Sequence, residues 1–407
     1  MATRVTGDIL KHMTHTEDLL CLGTDGCNFA LESLRGVYNA LNGKSDKSYG
    51  ITAKIDGSPA VVASTDFHGK KFVALKHSWN NGKIYTSEEE IAEAFPDKEN
   101  VRKELTLLLQ NLNFINIPKN EIWMGDFLFT EDTLKTREYD GKEYITFQPN
   151  TLVYAIPMED TLSSQIATSR LGIAWHTRYI GESFDNVSLG FKINISEVND
   201  VPNIYQMDAN LKSTGDRILT DEEAKFVEEN LDELKERLEL LCNYLYKEDV
   251  KEGINLLNTY RNFLIKNSNE QFPDVEGFVA WVRGKFWKES LTRKTERGRQ
   301  NVLDKGEAIV SVIIDNETYF SILLSCQKRI VWLKEFFISK LNSTSRMRTF
   351  VDSNMYGLLP TSGEGFVVSD SIGNVQKMVS RLEFSRNNFS SNIIKGWTSD
   401  KRNTESF

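Results

Sequence analysis

The chain has 407 residues, 40% hydrophobic and 26% charged, a balance that suits a globular protein of two or three domains. A net charge of −9 and a pI of about 5.3 exclude a simple basic nucleic-acid coat, so any contact with nucleic acid needs a local basic face. Three observations make a cytoplasmic protein without a membrane span or zinc site the expectation: no apolar run is long enough to span a bilayer, MATRVTGDILKHMTHTEDLL lacks a signal-peptide core, and Cys21, Cys27, Cys242 and Cys326 form no C-x-x-C pair.

Residues 1–48 read as helical, with His15-Thr-Glu-Asp18 leading into Leu19-Leu20 and a second helix from about Phe29 to Leu41 stopped by Asn42-Gly43. His15, Glu17 and Asp18 read as a solvated helix N-terminus. Residues 50–77 read as hairpin strands: I-T-A-K-I, P-A-V-V-A-S-T, a turn at Phe67-His-Gly69, then K-F-V-A-L-K-H-S with Lys76 closing the last strand. Asp56-Gly57 turns the chain directly after Lys54. A lysine at the end of a buried strand, beside a carboxylate and a glycine turn, is a candidate nucleophile. Partial burial and neighbouring cations free the lone pair of an amine whose ordinary pKa is near ~10.4.

Residues 87–113 carry helical leucine ridges, at Leu105, Leu108 and Leu112 among others. Glu121-Ile-Trp-Met-Gly-Asp-Phe-Leu-Phe129 then has a buried-strand pattern broken by Gly125-Asp126. A carboxylate inside an apolar strand is costly unless it is paired or binds something. Tyr144–Ile156 holds two further strands, and Leu171–Thr177 another, with His176 read as a structural histidine.

From 217 the pattern changes. Thr220-Asp-Glu-Glu223 is a capping box, and Val227, Leu231, Leu234, Leu238, Leu241 and Leu245 mark one helix face. Residues 217–350 are expected to be a mostly helical insertion between parts spanning 1–216 and 351–407. Within it Arg283, Lys285, Lys288, Arg293, Lys294, Arg297 and Arg299 outnumber Glu289 and Glu296, with Trp281, Phe286 and Trp287 interleaved. Such a face suits nucleic-acid phosphates; a solvated helix face over a core accounts for it equally. Glu364-Gly-Phe-Val-Val368 and Val-Gln-Lys377-Met-Val then read as a hairpin turning at Asp370–Asn374. A second Glu-Gly-Phe-Val at Glu276 leads into a helical pattern, so Glu364 is preferred.

Lys54-x-Asp56-Gly57, Gly125-Asp126, an aromatic strand, Glu364-Gly365 and Lys377 occur in the order found in the covalent nucleotidyltransferases, and the chain resembles that superfamily of ATP-dependent RNA and DNA ligases and capping enzymes. The segment E-G-F-V-V…Q-K-M-V-S-R-L-E-F-S-R-N-N looks most like that of T4-like phage proteins that are similar to nucleotidyltransferases. The resemblance covers about residues 50–160 and 355–390. It implies an α+β fold: a ligase adenylation-like domain of antiparallel sheets flanked by helices, in the host cytoplasm if phage-encoded. It further implies that Lys54 attacks the α-phosphate of ATP, and that Asp56 orients Lys54 or the metal. Asp126 and Glu364 would bind Mg²⁺ or ribose, and Lys76 and Lys377 would hold phosphates. Gly57 belongs to the nucleotide-binding set, and Tyr154, or failing it Phe147, would stack on the purine.

Two departures stand out. Asp126 replaces the family's glutamate, and Val375 occupies the first position of a K-x-K pair, leaving Arg381 to supply the missing charge. With 30 residues after Lys377 (407 minus 377), no terminal OB domain is expected, which favours RNA over DNA ends as acceptor. A capping or adenylylating transferase, and a degenerate nucleotide- or nucleic-acid-binding protein, remain open as alternatives.

Overall fold

A computed structural model describes residues 13–44, 49–55, 57–184, 186–190, 193, 203–208, 217–244, 250–268, 270, 272–370 and 374–396. It is an α+β fold of three largely antiparallel sheets with helices packed against them. The first sheet orders its strands Thr14–His15, Val375–Met378, Phe366–Asp370, Tyr49–Ala53. The second runs Asn186–Gly190, Leu171–Ser183, Glu121–Thr130, Ala60–Phe67, Lys70–Leu75, with Ile204–Asp208 also on Leu171–Ser183. The third runs Gly357–Pro360, Arg348–Ser353, Leu152–Pro157, Lys142–Phe147, Lys135–Tyr139, with Ile393–Ile394 also on Arg348–Ser353.

Strand Glu121–Thr130 shows why its sequence is apolar almost throughout. Alternate side chains point to opposite faces. Trp123 and Phe127 pack with Leu105, Leu108 and Leu112 of the helical segment before the strand, while Ile122 and Met124 pack with Phe72, Trp79 and Tyr179. Both faces are covered, so neither can be polar without a reason. Asp126 shares the face of Met124.

The helices from 221 to 342 follow the expected periodicity: Asp221–Tyr244, Lys251–Ser268, Val275–Ser290, Glu296–Asp315 and Glu317–Asn342. Their apolar faces form one core with helix Thr24–Leu41, which contributes Cys27, Ala30, Leu34, Val37 and Leu41. The same core takes in Phe366, Val368 and Met378 of the first sheet. Strand Arg348–Ser353 spans the boundary expected at 350. Among the described residues no single helix is long and apolar enough to cross a membrane.

The solvated N-terminus expected at His15, Glu17 and Asp18 is instead a buried ion-pair network. Lys334 donates to Glu17 Oε2 at 2.8 Å, and Arg381 lies 3.3 Å from Glu17 Oε1. Asp18 accepts from Arg381 at 2.9 Å and from Arg261 at 2.8 Å. The physical reason is long-range: three cations from helices remote in sequence converge on carboxylates that local sequence reads as exposed. Burial opposes ionisation of Glu17, but Lys334 and Arg381 outweigh it and hold the carboxyl well below the usual carboxylate range. Burial, with the Arg381 guanidinium nearby, pushes the His15 imidazole down to about 2, so it is neutral. Arg381 is committed to this network, which corrects its assignment as the missing phosphate-binding cation.

Candidate functional site

Strand Tyr49–Ala53 delivers Lys54 to the junction of the first sheet with the rest of the molecule. Lys54 N donates to Gly365 O at 2.8 Å, extending the pairing with strand Phe366–Asp370 by one step. Thr52, Val367, Lys377 and His15 form a row of register partners across four strands, so they share one face. Lys54, two residues beyond Thr52, belongs to the same face.

The Lys54 ammonium donates to Glu364 Oε2 at 2.8 Å; the lysine side chain is 15% exposed and the glutamate 1%. Asn150 Nδ2 donates to Glu364 Oε1 at 2.8 Å, and Asn150 Oδ1 accepts from Leu152 N at 2.8 Å. Both carboxylate oxygens of Glu364 are therefore engaged, and a turn of the third sheet fixes the carboxylate of the first. The Phe384 ring, on helix Arg381–Phe389, lies 6.0 Å from Lys54 Nζ.

Two cavities meet at Lys54. The smaller, about 190 Å³, is lined by Lys54, Lys76, Asp126, His176, Thr52 and Ser369 among others. The larger, about 1400 Å³, is a cleft whose walls include Lys54, Glu364, Tyr154, Tyr205, Arg346 and Arg348. Its volume exceeds what a single nucleotide needs. The first sheet supplies Lys54 to both cavities, the second sheet closes the smaller one, and the third sheet with helix Glu317–Asn342 walls the larger.

The structure thus brings together Lys54, Lys76 and Asp126 on one side and Lys54, Glu364 and Tyr154 on the other. Lys76 begins the short helix Lys76–Asn80 rather than ending a strand. Lys377 shares the face of Lys54 but stands two strands away and is not among the residues lining either cavity. Phe147, the second-choice purine stacker, is a core side chain packed between Phe129 and Tyr154 and is not among the residues lining either cavity. Tyr154 is buried as well, 2% exposed, but is among the residues lining the larger cleft. Asp56 lies outside the described residues. Glu276 sits in the first turn of helix Val275–Ser290, as its flanking pattern implied.

Two glycines beside the lysine–glutamate pair have steric work. A Cβ on Gly57 would lie 2.5 Å from Phe127 O and 2.6 Å from Asp126 Cβ, so the backbone at Gly57 packs directly on the strand bearing Asp126. Gly365, with φ of +109°, adopts a conformation that L side chains avoid, and a Cβ there would meet Met378 O at 2.1 Å.

His176 was expected to be purely structural, but it lines the smaller cavity. Its Nε2 lies 3.6 Å from Asp126 Oδ2, and its Nδ1 is 2.7 Å from Thr177 Oγ1. Sequence reasoning also missed Asn150; Pro149-Asn150 signals a turn, and nothing local shows that its amide reaches a glutamate 214 residues on. No cluster of three or more His, Cys, Asp or Glu side chains fit for a metal occurs among the described residues. Asp126 and Glu364 remain as carboxylates flanking Lys54 from different cavities. One or two carboxylates suit a magnesium ion that takes its other ligands from phosphate and water.

Fold and site define an α+β protein with a lysine–glutamate pair buried between two clefts. A family model described as "Family of unknown function (DUF6267)" matches residues 10–393, and the chain belongs to this family. No curated protein and no solved structure matches the chain.

Proposed function

We propose that the protein is an ATP-dependent nucleotidyltransferase that forms a lysyl-AMP at Lys54 and passes the adenylate to a polynucleotide end, RNA before DNA. The observation that carries the proposal is the convergence at Lys54: one amine, 2.8 Å from a buried glutamate, opening to two cavities of 190 and 1400 Å³. The smaller cavity supplies cations for phosphate and the larger has room for an acceptor. The order of the sequence motifs supports the same chemistry.

In the first step Lys54 Nζ, having lost its proton, attacks the α-phosphorus. A P–N bond forms and the P–O bond to pyrophosphate breaks. Next, a 5′-phosphate oxygen displaces the lysine, and a 3′-hydroxyl then displaces AMP. A carboxylate 2.8 Å away favours the ammonium form of an amine, so attack requires a cation to draw charge from Glu364. Magnesium held by Glu364 or Asp126 would supply that charge and stabilise the leaving pyrophosphate. Lys76 holds phosphate, and His176 orients Asp126.

A second reading, a nucleotide- or nucleic-acid-binding protein without transfer activity, is favoured by one observation: Lys377 is not among the residues lining either cavity. Incubation with α-labelled ATP or GTP and magnesium separates the readings. Expected is an alkali-stable, acid-labile label on wild type, lost with chelator and absent from Lys54→Ala. Label from GTP alone would identify a capping-type transferase. Binding of nucleotide without label from either would establish the second reading.

A further inference from the structure

Helices Val275–Ser290 and Glu296–Asp315 form a tight hairpin, so close that a Cβ on Gly306 would lie 2.7 Å from Phe286 Cβ. Its tip is ordered by its own bonds. Thr295 caps the second helix by accepting from Gly298 N at 3.1 Å, and Arg299 Nε donates to Arg293 O at 3.1 Å. Residues 291–297 are all exposed.

The tip carries a charge opposite to that of the chain. Between 283 and 299 seven cations face two carboxylates, in a chain of net charge −9. Arg283 pairs with Glu307 and Arg293 with Glu289. Lys285, Lys288, Lys294 and Arg297 have no carboxylate partner among the described residues. Trp287 stands among them, 54% exposed, and Leu291 follows one turn on, 57% exposed. The exposed indole lies on the last turn of the first helix, next to exposed Lys288 and just before the exposed tip.

We propose that this hairpin tip is a docking surface for single-stranded polynucleotide, separate from both cavities. Exposed cations along the tip, with an exposed indole at its base, match a flexible polyanion that offers phosphates and flat bases together: the cations take the backbone while the ring takes a base. A lipid surface is the poorer fit, because membrane helices present a continuous apolar face and here two apolar side chains sit among cations. The proposal deepens the reading of the acceptor as a polynucleotide and rests on it only for biological purpose, not for binding.

The test measures binding of a fluorescently labelled single-stranded oligoribonucleotide by anisotropy over a salt series. The proteins compared are the wild-type chain, Trp287→Ala and the triple variant Lys288→Ala/Lys294→Ala/Arg297→Ala. The triple variant is expected to flatten the log–log salt slope by about 2, three phosphates at roughly 0.7 each. Trp287→Ala is expected to weaken binding about tenfold with the slope unchanged. All the residues changed are on the surface, and matching far-ultraviolet spectra establish that the variants fold. Unaltered affinity and slope in both variants would overturn the proposal. So would loss of binding to phosphatidylserine-containing vesicles with oligonucleotide binding intact. Lysine labelling, measured on the same preparations, is expected to persist. Absence of label in the wild type with tip-dependent oligonucleotide binding would sink the transferase reading and leave this surface standing.

Discussion

At the residue scale, the Lys54–Glu364 pair has consequences that need no catalysis to observe. Removing one partner of a buried ion pair strands the other in a poorly solvated place, at a cost of about 3 kcal/mol. Glu364→Gln and Lys54→Met are each expected to destabilise the protein by about that much in urea unfolding. Their combination should cost less than the sum by at least ~1 kcal/mol, because it strands nothing. Strict additivity would show that the two groups do not interact in solution. His15 makes a separate claim about pH. Its imidazole is pushed from the ordinary 6.5 down to about 2, first by burial and then by Arg381, so the unfolded chain binds a proton that the folded chain refuses. The stability involved is complete above pH 6.5 and is lost as the pH falls toward 2. The loss is at most about 1.4 kcal/mol per pH unit. Glu17, also depressed, adds its own loss only below its ordinary 4.5. Burial raises Glu335, whose contribution has the opposite sign and fades as pH rises above 4.5. The difference between wild type and His15→Leu isolates the histidine: wild type should lose stability between pH 6.5 and 5 relative to the variant. Parallel profiles would mean that the imidazole is solvated.

At the scale of elements, the chain at Gly57 lies directly against the strand bearing Asp126. Gly57→Ala would force a methyl group against Phe127 O and Asp126 Cβ, both backbone or backbone-proximal, so the strand has to shift. The expected result is a loss of about 2 kcal/mol together with lysine labelling. A stable variant that still labels would show that the approach of Gly57 does not set the position of Asp126. The same elements show what local sequence can and cannot reveal. Strands at 49–53, 60–67 and 121–130 and the helices from 221 onward were legible because periods of two and of three to four residues report buried faces directly. Lys54 and Asp126 stand out in the sequence because each breaks an apolar run, and Glu364 because it opens one after Thr361-Ser-Gly363. Asn150, His176 and the Glu17 network were not, because what decides their roles lies 50 to more than 300 residues away in the chain: Asp126, Glu364 and Lys334. Arg381 illustrates the trap: a free cation in local sequence, it is claimed in space by two acids.

For the whole molecule, the issue is whether the helices of 221–342 form an independent unit or a structural part of the site. Leu231, Leu234, Leu323 and Leu333 lie in the same core cluster as Leu34 and Val37 of the N-terminal helix and as Phe366, Val368 and Met378 behind the lysine site. The Glu17–Lys334–Arg381 network adds a charged clasp across the same boundary, with Lys334 fully buried on helix Glu317–Asn342. Separating the two parts would expose apolar core on both sides and take the buried Lys334 ammonium from its carboxylate. Stability is therefore expected to be cooperative. Amide exchange in peptides from Glu317–Asn342 and from Phe366–Asp370 should report the same opening free energy and the same dependence on denaturant. Lys334→Met, which leaves Glu17 with Arg381 as its remaining partner, should lower both by an equal amount of about 3 kcal/mol. Should the helical peptides open first while the sheet stays protected, the shared core would be a contact between separable domains, and the helices could be removed without losing the lysine site.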